Sequence, residues 1–488
     1  MNTDLIFILD MGGGQAYYTA RRLRGEQFYC EVIGADTPIE EIIQRQPKGI
    51  ILAGGDSEAE RANRLPFDPE CFGVPLMAFG GAARMLAERI GAEYLGRQLS
   101  CGKEFVQFKL CDLFSELSEN DRYFERIDGY NLPEEYDAIA TTPTGMIPAF
   151  GCLEKHIYGM QFYVESNDPD GLKILENFAE YICKCPRNWN VDNFAPMLIE
   201  RTREEIGDSN VMLPVSGGVD SAVTAALISR AIGGRLTCVY IDSGLMRKGD
   251  PELVQKTLCD QMGLNLIVVS AQDRFLKSLR GIHDPTEKRR LLLTEFSTLY
   301  AEEYIKSGSA EVMAEGTIYN DVLRCKPRLT YRMIDGCRTI EPLRLLFKEE
   351  VRMLGRFLGV PEELVKRPSF ASTGLSARCL GEVTPEKLNM LREADAIFRQ
   401  EVEKAGLDRK IAQYFAILTD MKTPGLHGEG YVCALRALSS SSAGKASACK
   451  LPYDLMEDVV LRITGEVPGI NHVVYDITGR PTAAVEWE

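Results

Sequence analysis

The chain has 488 residues, 45% hydrophobic and 26% charged, with a formal net charge of −15. That length exceeds what one core organises and predicts about three domains of ordinary globular composition. The acidic balance argues against a general nucleic-acid binder, which needs a basic stripe, and no apolar run approaches the roughly 20 residues that span a bilayer.

The N-terminal stretch MNTDLIFILDMGGG has no basic leader and no cleavage site, and reads as a first strand and turn. LIFILD (5–10), GIILAGG (49–55) and VPLMAFGG (74–81) each predict a buried strand ending at a glycine-rich turn. This is the doubly wound α/β pattern, with ligands expected at the carboxyl ends of strands. A helical stretch at 171–184 closes the region, and Pro186 and Trp189 mark a linker. The 14 cysteines are scattered and read as reduced thiols in a cytoplasm. Cys183 and Cys185 form the tightest pair, without the second Cys/His pair that zinc requires.

A second α/β unit begins near Val191. VMLPVS (211–216) is a strand, 222–232 a helix, and LTCVYID (236–242) and LNLIVVS (264–270) further strands. A third unit of mixed α+β character starts near Arg367. It holds a helix at 384–406, a strand at 431–438, a helix at 455–467 and strand-like ends at 471–477 and 483–488. The expected domains are 1–190, 191–366 and 367–488. The only low-complexity segment is the polar loop 439–448.

Ser216-Gly217-Gly218-Val219-Asp220-Ser221 lies between a buried strand and a helix. Glycines let backbone amides approach a phosphate, and a helix start leaves unpaired N–H donors at the positive end of its dipole. A pyrophosphate-sized anion is the expected occupant. No stretch satisfies G-x-x-x-x-G-K-[ST], so kinase-like transfer of a terminal phosphate is not favoured. Asp242, in Asp242-Ser243-Gly244-Leu245-Met246-Arg247-Lys248, sits at a strand's carboxyl end, where it would meet a nucleotide or Mg²⁺. Asp220 is the best protein ligand for that metal, which the nucleotide would hold in part.

The S-G-G-x-D-S run resembles the signature of the ATP-pyrophosphatases, which cut ATP between the α and β phosphates. The order of motifs along nearly the whole chain resembles the GMP synthetases. Matching stretches are 284–290, 315–322, 340–361 and 450–481, running on to Glu486-Trp487-Glu488. The resemblance implies an enzyme that adenylates the 2-oxygen of XMP with ATP and displaces AMP with ammonia. It makes Arg289, Arg378, Arg480 and Glu486 candidate contacts to the acceptor nucleotide. Lys348 and Asp220 are the catalytic candidates, and the C-terminal domain implies a cytoplasmic homodimer.

The first domain resembles a class I glutamine amidotransferase but departs from it. Where the family reads G-V-P-x-L-G-I-C-Y-G-M-Q, Gly80 stands in place of the cysteine. Where it reads G-x-Q-F-H-P-E, Tyr163 replaces the histidine and Glu165 remains. A hydrogen atom cannot attack a carboxamide, and a phenol is a poor base near neutral pH. Cys71, Cys101 and Cys152 do not occupy the elbow, and His156 reads as structural. Loss of glutaminase activity is therefore expected, with free ammonia as donor. Residues 324–339 lack the family's His pair, 371–375 replaces its P-G-P-G-L, and His427 stands at a family Gln. These changes surround the acceptor and leave its identity open. Sulfur insertion, with Cys325 and Cys379 the nearest thiols, and a nucleotide-sensing pseudoenzyme are the alternatives.

Overall fold

A computed structural model of the chain describes residues 4–55, 65–162, 164, 169–308, 310–323, 337–368, 370, 371, 373–425, 428–439, 446–479 and 485–487. The chain divides into two compact units, Met1–Asn193 and Phe194–Glu488.

The strands of the first unit are β1 (Ile6–Asp10), β2 (Cys30–Gly34), β3 (Gly49–Ala53), β4 (Leu76–Phe79), β5 (Glu93–Phe108), β6 (Asn120–Asn131), β7 (Asp137–Thr141), β8 (Ala149–Cys152) and β9 (Ile157–Met160). They form one sheet in the order β2-β1-β3-β4-β9-β8-β7-β5-β6. The half from β2 to β9 is parallel. Its strands are continuous apolar runs, as expected of strands covered on both faces: Ile6 to Leu9, Ile50 to Ala53 and Leu76 to Phe79 are all buried. The other half is antiparallel, dominated by the long β5–β6 hairpin. Its mixed polar and apolar sequence carries no buried-strand signal, and the doubly wound reading did not anticipate it.

The second unit contains a five-stranded, all-parallel sheet of β10 (Asn210–Pro214), β11 (Leu236–Asp242), β12 (Leu266–Ser270), β13 (Ala310–Ala314) and β14 (Arg338–Ile340). Its order, β12-β11-β10-β13-β14, places β10 where the winding reverses. That is the switch point at which such sheets open a crevice. A three-stranded sheet follows: β15 (Gln413–Gly425), β16 (Gly428–Leu438) and β17 (Ile470–Asp476). The helices Pro385–Lys404 and Tyr453–Glu466 accompany it. One continuous core runs from Met212 and Val239 through Leu375 and Leu391 to Leu435 and Val459. No described helix is long and apolar enough to cross a membrane.

Local sequence explains the helix starts. Thr384 accepts a hydrogen bond from the Lys387 amide (3.3 Å) with Pro385 at the first helical position. Asp284 does the same for the Glu287 amide (2.8 Å) ahead of the helix Pro285–Ser307. Both are the side-chain caps that unpaired first-turn amides favour.

The helix Pro385–Lys404 also carries Asp395, fully buried. Its carboxylate accepts from the Ala416 amide in β15 (3.2 Å) and from Arg399 Nε (2.9 Å). Arg247 Nε lies 3.6 Å away and Arg378 Nη1 3.8 Å away. Burial pulls the Arg247 guanidinium down to about 10, against the opposing pull of Asp395. Removing one partner from a buried cluster leaves charge uncompensated and costs about 3–5 kcal/mol. Asp395→Ala is therefore expected to lower the free energy of unfolding by that order, read from a lower urea midpoint at an unchanged slope. The Ala416 amide should lose hydrogen-exchange protection before the amides of β10 do.

Candidate active site

The 216–221 loop follows β10 at the switch point, between that strand and the helix Val219–Ile232. Gly218 precedes the helix and has no side chain to cap it, so the first-turn amides receive no N-cap hydrogen bond. The first bond of the helix type runs from the Ala222 amide to the Gly218 carbonyl (3.1 Å). The amides of Val219, Asp220 and Ser221 therefore precede the intrahelical ladder, at the positive end of the dipole. That arrangement suits an anion.

The loop holds its shape through its own serines. The Ser216 amide donates to Ser221 Oγ (3.2 Å), Ser221 Oγ donates to the Gly218 carbonyl (3.1 Å), and the Gly218 amide donates to Ser216 Oγ (3.3 Å). Gly217 has φ 74, and a Cβ there would lie 2.3 Å from Val254 Cγ2. Only glycine meets both conditions.

Lys348 opens the helix Lys348–Phe357, and its Nζ lies 2.8 and 2.7 Å from the two carboxylate oxygens of Asp220. The structure thus brings the two catalytic candidates together. The approach of their helices is set by Gly355, where a Cβ would come within 2.8 Å of Val223 Cγ2. The Lys348 amide donates to Asn320 Oδ1 (3.1 Å), which anchors the helix start. Asp220 is a single, part-exposed carboxylate. Among the described residues no group of three or more His, Cys, Asp or Glu side chains is placed to hold a metal.

Asp242 ends β11. Its Oδ1 accepts from the Gly244 amide (3.0 Å) and its Oδ2 from Gln272 Nε2 (2.7 Å). It shapes the turn that follows β11. Arg392 reinforces that turn, donating to the carbonyls of Met246 (3.0 Å) and Gly244.

Arg378 and Glu486 also meet, as a two-pronged ion pair: Nε to Oε2 at 2.9 Å and Nη2 to Oε1 at 3.0 Å. Arg378 is 1% exposed, its guanidinium 3.9 Å above the Phe415 ring and 5.0 Å from the Phe370 ring. Val485 packs against Phe415, Ile417 and Ala434, and Trp487 Nε1 donates to Asp476 Oδ2 (2.9 Å). Burial pushes the Asp476 carboxyl up. The Thr478 amide, the indole and Arg436 outweigh it and hold the group below the usual carboxylate range. Arg289 is exposed on the helix Pro285–Ser307 and shares no described contact with this pair. Arg480, with Cys325 and His427, lies outside the described residues. Cys379 is fully buried beneath the Glu382 carbonyl.

In the first unit, Gly80 forms a sharp turn between β4 and the helix Gly81–Arg89, with φ 62 and ψ −132. Such a turn presents a nucleophile when it carries a side chain, and here it carries none. The Gly80 amide donates to the Met160 carbonyl at the end of β9 (2.9 Å), so the chain after Met160 continues beside the turn. Gln161 ties that end to β6 and the neighbouring loop through the Asp128 and Ile147 carbonyls (2.9 and 2.8 Å). Tyr163 and Glu165 lie outside the described residues. His156, at φ 53, precedes β9, and its carbonyl accepts from the Leu76 amide (2.9 Å) at the opposite end of β4. Cys71 and Cys152 also lie toward that opposite end. Cys183 and Cys185 are buried, with thiols raised by desolvation, Cys185 to about 12.

Sequence reasoning missed Arg367. Its Nη1 donates to the Gly217 carbonyl (2.6 Å), 150 residues away in the chain. No spacing signal spans such a separation.

The class I glutamine amidotransferase family matches residues 7–181, and the GMP synthase C-terminal domain family matches residues 400–487. The chain is similar to the glutamine-hydrolysing GMP synthase of Caldicellulosiruptor saccharolyticus, 40% identical over 513 residues and covering 100% of each chain. It is 39% identical over 511 residues to the enzyme of that name from Acetivibrio thermocellus, again covering 100% of each. A crystal structure from Thermoplasma acidophilum, of a putative GMP synthase component, aligns with 38% of this chain and 96% of its own, at TM-score 0.33 and 21% identity.

Gly217→Ala would place a methyl group against Val254 at a positive φ. It is expected to weaken pyrophosphate binding at least about tenfold by calorimetry, since the loop must shift to admit it. Adding Val254→Ala should recover only part of the loss, because the backbone strain remains.

Proposed function

Because the chain belongs to the GMP synthase family, we propose that it is an AMP-forming ligase converting an oxo-purine nucleotide, XMP, to its amino product with free ammonia. The uncapped helix start at 218–221, where Lys348 reaches Asp220 at the switch point, carries the reading. It offers backbone donors of the size and polarity that a leaving pyrophosphate requires.

In this reading residues 191–366 bind ATP. The 2-oxygen of XMP attacks the α-phosphorus, and the bond from that phosphorus to the bridging oxygen breaks. Pyrophosphate leaves into the amides of Val219, Asp220 and Ser221 and the hydroxyls of Ser216 and Ser221. Lys348 supplies positive charge as charge builds on the leaving group. A magnesium ion, when bound, would offset phosphate charge, with Asp220 and nucleotide oxygens as its ligands. Ammonia then attacks C2, a proton is lost, and AMP departs with the former 2-oxygen.

Residues 367–488 receive the acceptor and form a homodimer. Glu486 contacts the purine, held from behind by the buried Arg378, while Arg289 and Arg480 supply cationic forks for the phosphate. Asp242 borders the nucleotide.

Residues 1–190 have the amidotransferase fold without its chemistry. The relatives bear a glutamine-hydrolysing name, but glycine at the elbow has no atom to form an acyl intermediate. Free ammonia is the donor that needs no such group.

With ATP, Mg²⁺, XMP and ammonium, the protein is expected to release AMP and pyrophosphate in equal amounts and to form GMP. With glutamine in ammonia-free buffer it should form neither glutamate nor GMP. Glutamate release under those conditions would overturn the loss of glutaminase. The absence of AMP with every purine nucleotide offered would favour a sensing role over catalysis.

A further inference from the structure

Arg367 stands apart from every residue assigned above, although it touches the pyrophosphate loop. One prong of its guanidinium donates to the Gly217 carbonyl (2.6 Å), and the other is paired with Asp250. Both side chains are nearly buried, 10% and 7% exposed. Asp250 opens the helix Asp250–Gln255 after β11, and Val254, on that same helix, is the residue that closes the space at Gly217. The loop after β10 and the helix after β11 are thus fastened at one point, from two sides.

The consequence follows from peptide geometry. A trans peptide points its carbonyl and N–H in opposite directions. With the Gly217 carbonyl held by Arg367, the Gly218 N–H is turned away from Arg367, toward Ser216 Oγ (3.3 Å). That orientation sets where the following first-turn amides stand. The charge of Arg367 is already matched by Asp250, and one prong ends on a carbonyl. Its part is therefore to fix donors, not to meet the anion.

We propose that Arg367 is a positioning residue for the adenylating step, fixing the Gly217–Gly218 peptide so that the loop amides are preorganised for pyrophosphate. The proposal rests on the adenylating reading above and deepens it. Arg367 also begins the stretch that reaches Arg378. Phe370 lies under Arg247 (4.3 Å), and the Leu375 amide donates to the Leu245 carbonyl (2.7 Å). The loop that grips ATP is thereby fastened to the segment that carries the acceptor's anchor.

The test uses the full chain, with Arg367→Gln, Arg367→Lys and Asp250→Asn. A charged hydrogen bond of this kind corresponds to roughly a 10- to 100-fold effect. Arg367→Gln is expected to lower kcat/KM for ATP by that factor while KM for the acceptor changes less than about twofold. Arg367→Lys should recover part of the loss, since one ammonium serves both partners poorly. The double variant Arg367→Gln with Asp250→Asn should be no worse than the poorer single variant, because the two act as one unit. Pyrophosphate binding by calorimetry reads the loop without turnover, and should weaken in Arg367→Gln. Kinetics and pyrophosphate affinity unchanged in a folded Arg367→Gln, or an acceptor KM raised as much as that for ATP, would overturn the proposal. Should Arg367→Gln fail to fold, Arg367→Lys and Asp250→Asn decide by the same criteria. If the native chain releases no AMP but its pyrophosphate affinity still depends on Arg367, the adenylating reading fails and the positioning role stands.

Discussion

Backbone amides at the start of the helix Val219–Ile232 have no partner within the helix and no side chain to cap them. That deficit is the constraint around which the second unit is arranged, since such donors are satisfied only by water or an anion. The parallel sheet puts them at its switch point, glycine at 217 lets the loop bend where no Cβ fits, and Gly355 brings a second helix close enough for Lys348 to reach Asp220. A helix that is otherwise almost wholly buried gives the site a rigid base. The donors stay aimed without reorganising when charge arrives.

A different balance governs the C-terminal part of the second unit. Arg378 and Arg247 lie on aromatic rings around the buried Asp395, and Glu486 supplies the carboxylate that completes the pairing of Arg378. The segment 485–487 is fixed by this pairing together with the packing of Val485 and the Trp487 indole.

Much of this was legible in sequence, for identifiable reasons. Buried parallel strands are continuous apolar runs, so β1, β3, β4, β10 and β11 were readable within a residue or two. The loop at 216–221 was readable because strand, glycines and helix are contiguous. The antiparallel half of the first sheet was not, because a hairpin such as β5–β6 is fixed by cross-strand pairing along its length. Arg378 and Glu486 were each named from resemblance, but their pairing spans 108 residues and no local pattern encodes it. Arg367 escaped for the same reason. The elbow at Gly80 is the converse case. Its backbone keeps a nucleophile's turn, and the register of β4 with β9 puts the chain after Met160 beside it, yet Gly80 brings no side chain to that turn.

The most direct measurement follows the oxygen at C2 of the acceptor. With XMP carrying ¹⁸O at that position, ATP and ammonium, mass spectrometry should find the label in the AMP phosphate, one atom per GMP formed. Unlabelled AMP, or ADP in its place, would contradict an account in which that oxygen takes the α-phosphorus while the 216–221 loop holds the departing pyrophosphate.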